Sequence, residues 1–137
     1  MKLDHVGIAV TSIEEAARLY AEGLGLERLA LEEVSEQGVR ILKLDAGNTH
    51  LELLEPLAAG EGPIAKFLDK RGPGIHHICL AVEDIRAAAA RLQTLGFRAL
   101  SEEPQPGADG CEVMFLHPKD THGTLIELSQ PPRDATQ

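Results

Sequence analysis

From Leu3 to Val10 the chain alternates. Val6, Ile8 and Val10 fall on one side, and His5, Gly7 and Ala9 on the other. A period of two predicts a strand. The bulky β-branched side suits packing beneath a helix. The other side, a histidine and two very small residues, suits the wall of a cavity. At Ser12 the period changes. The run S-I-E-E is a capping box with Glu15 at the third helical position. Ile13, Ala16, Ala17 and Tyr20 continue at helical spacing, and Gly23 and Gly25 stop the helix. Three extended stretches follow: Leu26–Val34, Val39–Asp45 and Thr49–Pro56, punctuated by "EQG" and "AGN".

The same plan returns further along. Ile78, Leu80 and Val82 share one side of a strand, and His77, Cys79 and Ala81 the other. Asp84 is placed to cap a helix whose stripe is Ile85, Ala88, Ala89 and Leu92, ending at Gly96. Extended stretches are expected over Phe97–Glu103, Glu112–His117 and Gly123–Gln130. His5 and His77 are 72 residues apart; so are Val10 and Val82, and Ile13 and Ile85. A register kept over this length marks an internal duplication. Each half reads β-α-β-β-β, which predicts an α+β fold. One domain over residues 1–137 is expected, with modules at about 3–57 and 74–130 joined by 58–73. The joining segment carries a helix that begins near Pro63, with Ile64, Phe67 and Leu68 on its apolar side. The tail "PPRDATQ" reads as disordered.

Composition narrows the function. The chain is 43% hydrophobic but only 3% aromatic, so its core is aliphatic. A net charge of −9 argues against a nucleic-acid or anionic-membrane surface. Cys79 and Cys111 form no CxxC pair, which points to a reducing compartment. With no long apolar run and no leader-like N-terminus, a cytoplasmic location is expected.

The last strands also match. "THLELLEPL" and "GTLIELSQP" align with Glu52 opposite Glu127, 75 residues apart. Each half therefore supplies a histidine on its first strand and a glutamate on its last. A carboxylate within such a strand is costly unless solvated or paired. Pseudo-symmetric halves would bring His5, Glu52, His77 and Glu127 onto one concave surface. Two imidazoles and two carboxylates suit a divalent ion. The donor set fits Co²⁺, Mn²⁺, Ni²⁺, Fe²⁺ or Mg²⁺ and excludes an all-sulfur zinc site. Four protein ligands on an octahedral ion leave two open positions, enough for a bidentate substrate and so for catalysis.

Other residues carry less. His76 aligns with Asp4 and is expected to face away, in a structural role. His50 and His122 read as surface residues, and His117 as either structural or substrate-facing. Cys79 reads as a small cavity-lining residue. "GPG" and "GADG" read as turns.

The chain resembles the vicinal oxygen chelate superfamily, also called the glyoxalase/bleomycin-resistance fold, through its paired modules and His/Glu/His/Glu set. Within that superfamily it resembles the methylmalonyl-CoA epimerases, through "DHVGIAV", "EQGV", "LELLEPL", "GPIAKFLDKRGPGIHHI", "LSEEP" and "FLHPKDTHGTLIEL". The resemblance implies a curved mixed sheet enclosing a metal, Co²⁺ foremost and Zn²⁺ also compatible, in a homodimer. It implies interconversion of (R)- and (S)-methylmalonyl-CoA in propionate-type metabolism, by α-proton abstraction with a metal-stabilised enolate. His5, His77 and Glu127 match family ligands, and Glu52 matches a position where some members carry Gln. Glu127 matches the family's base. The column where some members carry an opposite glutamate holds Ile41, which leaves Glu52 or a metal-bound water for that role. The CoA tail calls for rim cations, with Lys119 the first candidate and Lys66, Lys70 and Arg71 next. The rival functions are a glyoxalase I-type lactoylglutathione lyase, a non-catalytic ligand-sequestering protein and an extradiol-type oxygenase.

Overall fold

The computed structural model describes residues 1–132. The tail expected to be disordered falls largely on residues 133–137, outside that range. Contacts divide the chain into two compact units, one spanning His5–His76, the other containing Met1–Asp4 and the chain from His77 onward.

In the first unit the opening alternation forms β1 (Lys2–Ala9), whose residues from His5 onward belong here. Ser12 then starts α1 (Ile13–Ala17), and its side chain accepts the Glu15 amide at 3.2 Å. From Arg18 to Gly23 the winding widens to a π-helix, and Leu24 N–H donates to the carbonyl of Leu19. Spacing of apolar residues alone does not foretell that change. Three strands follow: β2 (Glu27–Val34), β3 (Val39–Asp45) and β4 (His50–Pro56). Their lateral order with β1 is β2-β3-β4-β1, and β1 pairs in parallel with β4. Gly38 adopts a left-handed φ of 63° between β2 and β3, a conformation glycine accepts without strain. Val10, Ile13, Ala17, Leu42, Leu44 and Leu53 form the core between α1 and one face of these strands. The opposite face holds the residues in register with His5, Gly7 and Ala9. Helix α2 (Gly62–Arg71) completes the unit, with Pro63 in its first turn and Ile64 buried.

The second unit repeats the scheme with β5 (Gly74–Ala81), from His77 onward, and α3 (Ile85–Thr94). Asp84 caps α3 by accepting the Ala87 amide at 3.0 Å. β6 (Gln105–Pro106), β7 (Glu112–Phe115) and β8 (Ile126–Gln130) follow. The lateral order is β5-β8-β7-β6, with β5 parallel to β8. Val82, Ile85, Met114, Leu116 and Leu128 form the core. One expected strand is missing. Phe97–Glu103 contributes only an isolated bridge between Ala99 and Leu116, and the pairing resumes in the two residues of β6. Phe97 and Leu100 are exposed, so their apolar side chains have no face to cover, and Ser101, Glu102 and Glu103 add none. β7 stops at Phe115 and β8 starts at Ile126, both shorter than expected.

A second pair of matched devices joins helix to strand. Glu55 on β4 accepts the Ile13 amide at 2.7 Å. Gln130 on β8 accepts the Ile85 amide at 2.8 Å. These acceptors are 75 residues apart, the spacing of Glu52 and Glu127.

Candidate functional site

The first unit holds a buried His–Glu couple. Nε2 of His5 lies 3.2 Å from Oε1 of Glu52. Register explains the meeting: β1 and β4 run parallel with His5 opposite His50 and Gly7 opposite Glu52, so both side chains stand on one face. In the second unit, Nε2 of His77 lies 3.0 Å from Oε1 of Glu127. There Cys79 is opposite Glu127 in the parallel pair, and Phe115 is opposite it in the antiparallel pair. The Phe115 ring meets His77 edge-on at 5.9 Å and restricts the imidazole. His5, His77 and Glu127 are 6% exposed and Glu52 4%. At that burial a carboxylate without a partner is strongly disfavoured, so the pairing is a requirement of folding as well as of chemistry. Each couple presents one imidazole nitrogen and one carboxylate oxygen. His5, His77 and Glu127 carry donor atoms of the kind that hold a metal ion. Imidazole nitrogen and carboxylate oxygen are donors that suit a divalent cation.

The two rows correspond residue by residue. Lys43, Glu52 and Gly7 stand in register across β3, β4 and β1; Phe115, Glu127 and Cys79 stand in register across β7, β8 and β5. Lys43 was not anticipated as a site residue. Its signal was available: alternation along β3 puts it with Val39 and Ile41, and the 72-residue register puts it in the column of Phe115.

Ile41 is buried and stands between Leu54 on β4 and Glu32 on β2. Hydrocarbon therefore occupies that column, with a half-buried carboxylate opposite it on the next strand. His50, expected at the surface, is half-buried at the start of β4, because parallel pairing sets it beside His5. His122 is exposed. His76 packs edge-on against Phe67 at 5.1 Å, as its structural reading required. His117 accepts the Lys119 amide on Nδ1 at 3.2 Å, which shapes the "HPKD" turn. The Arg98 guanidinium braces that turn through Asp120, holding its carboxyl down at about 2. Lys119 itself is exposed. Lys66 lines an open groove with Pro56, Gly60, Ala65, Leu68 and Asp69, while Arg71 lies over the Phe67 ring at 5.7 Å. No described helix is long and apolar enough to cross a membrane.

Residues 4–115 match the model of the glyoxalase/bleomycin resistance protein/dioxygenase superfamily. The ethylmalonyl-CoA/methylmalonyl-CoA epimerase of Cereibacter sphaeroides is 50% identical over 131 residues, covering 94% of this chain and 97% of that protein. Among solved structures, the methylmalonyl-CoA epimerase of Mycobacterium tuberculosis is 39% identical with a TM-score of 0.92, covering 99% of this chain and 92% of that one. A variant of the Streptomyces coelicolor methylmalonyl-CoA epimerase, in complex with 2-nitronate-propionyl-CoA, is 37% identical with a TM-score of 0.90, covering 97% and 96%. With its α+β architecture of repeated β-α-β-β-β halves, the chain belongs to the glyoxalase/bleomycin resistance protein/dioxygenase superfamily.

Proposed function

We propose that this protein is a metal-dependent epimerase that interconverts (R)- and (S)-methylmalonyl-CoA. One observation carries the reading: a buried His–Glu couple occurs in matched rows of both halves, in a chain half identical to an ethylmalonyl-CoA/methylmalonyl-CoA epimerase. His5, Glu52, His77 and Glu127 would together hold one divalent cation, Co²⁺ foremost. When bound, such an ion supplies a Lewis acid toward the thioester carbonyl and raises the acidity of the α-carbon.

Inversion at that carbon takes a proton from one face and returns one to the other, so two groups must act. Glu127 is assigned the first role and Glu52 the second. Ile41 offers no proton-transfer group, which leaves Glu52 for that role. The Nε2–Oε1 separations of 3.2 and 3.0 Å leave each imidazole and its carboxylate close enough to ligate one ion together. Burial keeps bulk water from the abstracted proton. Lys119 is assigned to the CoA phosphates, since a chain of net charge −9 must present a local cation to bind them. A cytoplasmic homodimer completes the proposal. Its free cysteines suit a reducing compartment, and sizing chromatography tests the assembly.

The decisive experiment incubates metal-loaded protein with (S)-methylmalonyl-CoA in D₂O. Deuterium should enter at the α-carbon as the (R) form accumulates. Absence of exchange, together with turnover of methylglyoxal plus glutathione, would replace this reading with a lactoylglutathione lyase.

A further inference from the structure

We propose that Arg98 is a positioning residue: acting through Asp120, it fixes the His117–Gly123 turn so that Lys119 is held ready for a phosphate of the CoA tail. The inference deepens the epimerase reading and rests on its assignment of Lys119.

The turn is cross-braced to the segment where a strand was expected. The His117 amide donates to the Arg98 carbonyl at 2.8 Å, and the Leu100 amide to the Phe115 carbonyl at 2.8 Å. In the other direction, the Arg98 amide donates to Oδ2 of Asp120 at 2.8 Å. The Arg98 guanidinium then clasps both carboxylate oxygens, from Nε and Nη2, each at 3.0 Å. A paired clasp of this kind fixes orientation as well as distance. The Asp120 side chain is only 15% exposed, so it anchors the turn from within. Inside the turn, the Asp120 amide donates to the His117 carbonyl and the Gly123 amide to the Pro118 carbonyl, both at 2.9 Å. The Thr121 hydroxyl lies within reach of the carbonyls of Pro118 and Thr124. His122 takes a left-handed φ of 59°, a conformation that persists where the surroundings hold it.

Lys119 sits between two pinned neighbours. Its own amide donates to Nδ1 of His117 at 3.2 Å. Its side chain is exposed and makes no hydrogen bond or ion pair among the described residues. The charge of Arg98 is matched by Asp120, so the cation this turn offers to a ligand is Lys119. A rigid backbone beneath an uncommitted ammonium favours anion binding, because less ordering is paid when the ligand arrives. The bracing segment adds little to the core: Ala99 packs there, while Phe97 and Leu100 on either side are exposed. Its chief contribution is the hold on the turn.

The test compares methylmalonyl-CoA with methylmalonyl-pantetheine, which keeps the reacting acyl group and lacks the phosphates. Metal-loaded protein is assayed by α-proton exchange in D₂O. Arg98→Ala should raise KM for the CoA thioester about threefold to tenfold, with kcat changed less than about twofold. For the pantetheine thioester, both constants should stay within about twofold of wild type. Asp120→Asn keeps the shape of the side chain and should behave like Arg98→Ala, which guards against a folding failure of the first variant. Arg98→Lys lacks the planar fork and should fall between wild type and Arg98→Ala. Lys119→Ala should raise KM for the CoA thioester at least as far, and adding Arg98→Ala to it should change KM less than about twofold more. No change in KM, equal rises for both thioesters, a fall in kcat, or full additivity of the two substitutions would overturn the assignment and leave Arg98 as a brace for the fold. Failure of the epimerase reading has a different signature: wild-type protein that exchanges the α-proton of neither thioester.

Discussion

Replacing Glu55 separates two roles that one side chain combines. Its Oε1 accepts the first helical amide of α1, from Ile13 at 2.7 Å, and its Oε2 accepts from Nη1 of Arg40 at 2.6 Å. Glu55→Ala removes both. The helix amide loses a charged acceptor in a part-buried position, which costs about 1.5–3 kcal/mol. Arg40 keeps Glu33, 3.1 Å from its Nη2, and is about a third exposed, so its loss adds little. The expected total is therefore about 1.5–3 kcal/mol. Glu55→Gln is different. The amide oxygen can still accept from Ile13, as Gln130 does from Ile85 in the second half. What remains to lose is chiefly the charge at the helix N-terminus, about 0.3–1 kcal/mol, because the Arg40 pair is exposed to solvent screening. Urea denaturation followed by circular dichroism measures both variants, with the slope unchanged from wild type. If Gln costs as much as Ala, the Arg40 ion pair dominates. The equivalence of Glu55 and Gln130 would then be coincidence.

Further outcomes follow from the same coordinates. Glu127→Gln should lower α-deuterium incorporation by about 10²–10⁴ while the protein stays folded, read by mass spectrometry of the thioester; near-normal exchange would remove Glu127 from the chemistry. Leu53→Ala empties a fully buried position in the first core and should cost about 2–5 kcal/mol in a urea melt, against less than about 0.5 kcal/mol for exposed Leu24→Ala. Arg98 holds the Asp120 carboxyl at about 2 against an ordinary value of 3.8. Because the folded value is depressed, this contribution is present above 3.8 and is lost as pH falls through about 2. NMR titration of the Asp120 carboxyl carbon should show a midpoint near 2 in wild type and near the ordinary value in Arg98→Ala.

Much of this was legible because the chain states its plan twice. β3 occupies the expected residues, and β2 and β4 each start one residue late, since alternation and glycine punctuation fix both face and ends. The His–Glu couples were readable from matched spacing, since strand parity alone put each member on one face. Partners across strands were less accessible. Lys43 opposite Glu52, and Glu55 reaching Ile13, depend on pairing register, which a single strand does not encode. The fourth extended stretch of the second half failed for a physical reason. Ala99 alone packs on the second core while Phe97 and Leu100 stay exposed, so the stretch pairs only around the Ala99–Leu116 bridge. The π winding of Arg18–Gly23 changes hydrogen-bond partners while leaving Ile13 and Ala17 buried as a helix would, so the hydrophobic stripe was right where the backbone was not.

Calorimetric titration of metal-free protein with Co²⁺ tests most directly whether both halves serve one cation. The expected result is one ion per chain in wild type, with that same ion lost in His5→Ala and equally in His77→Ala. Two ions per chain, or tight binding retained by either variant, would contradict a shared site and with it the proposed chemistry.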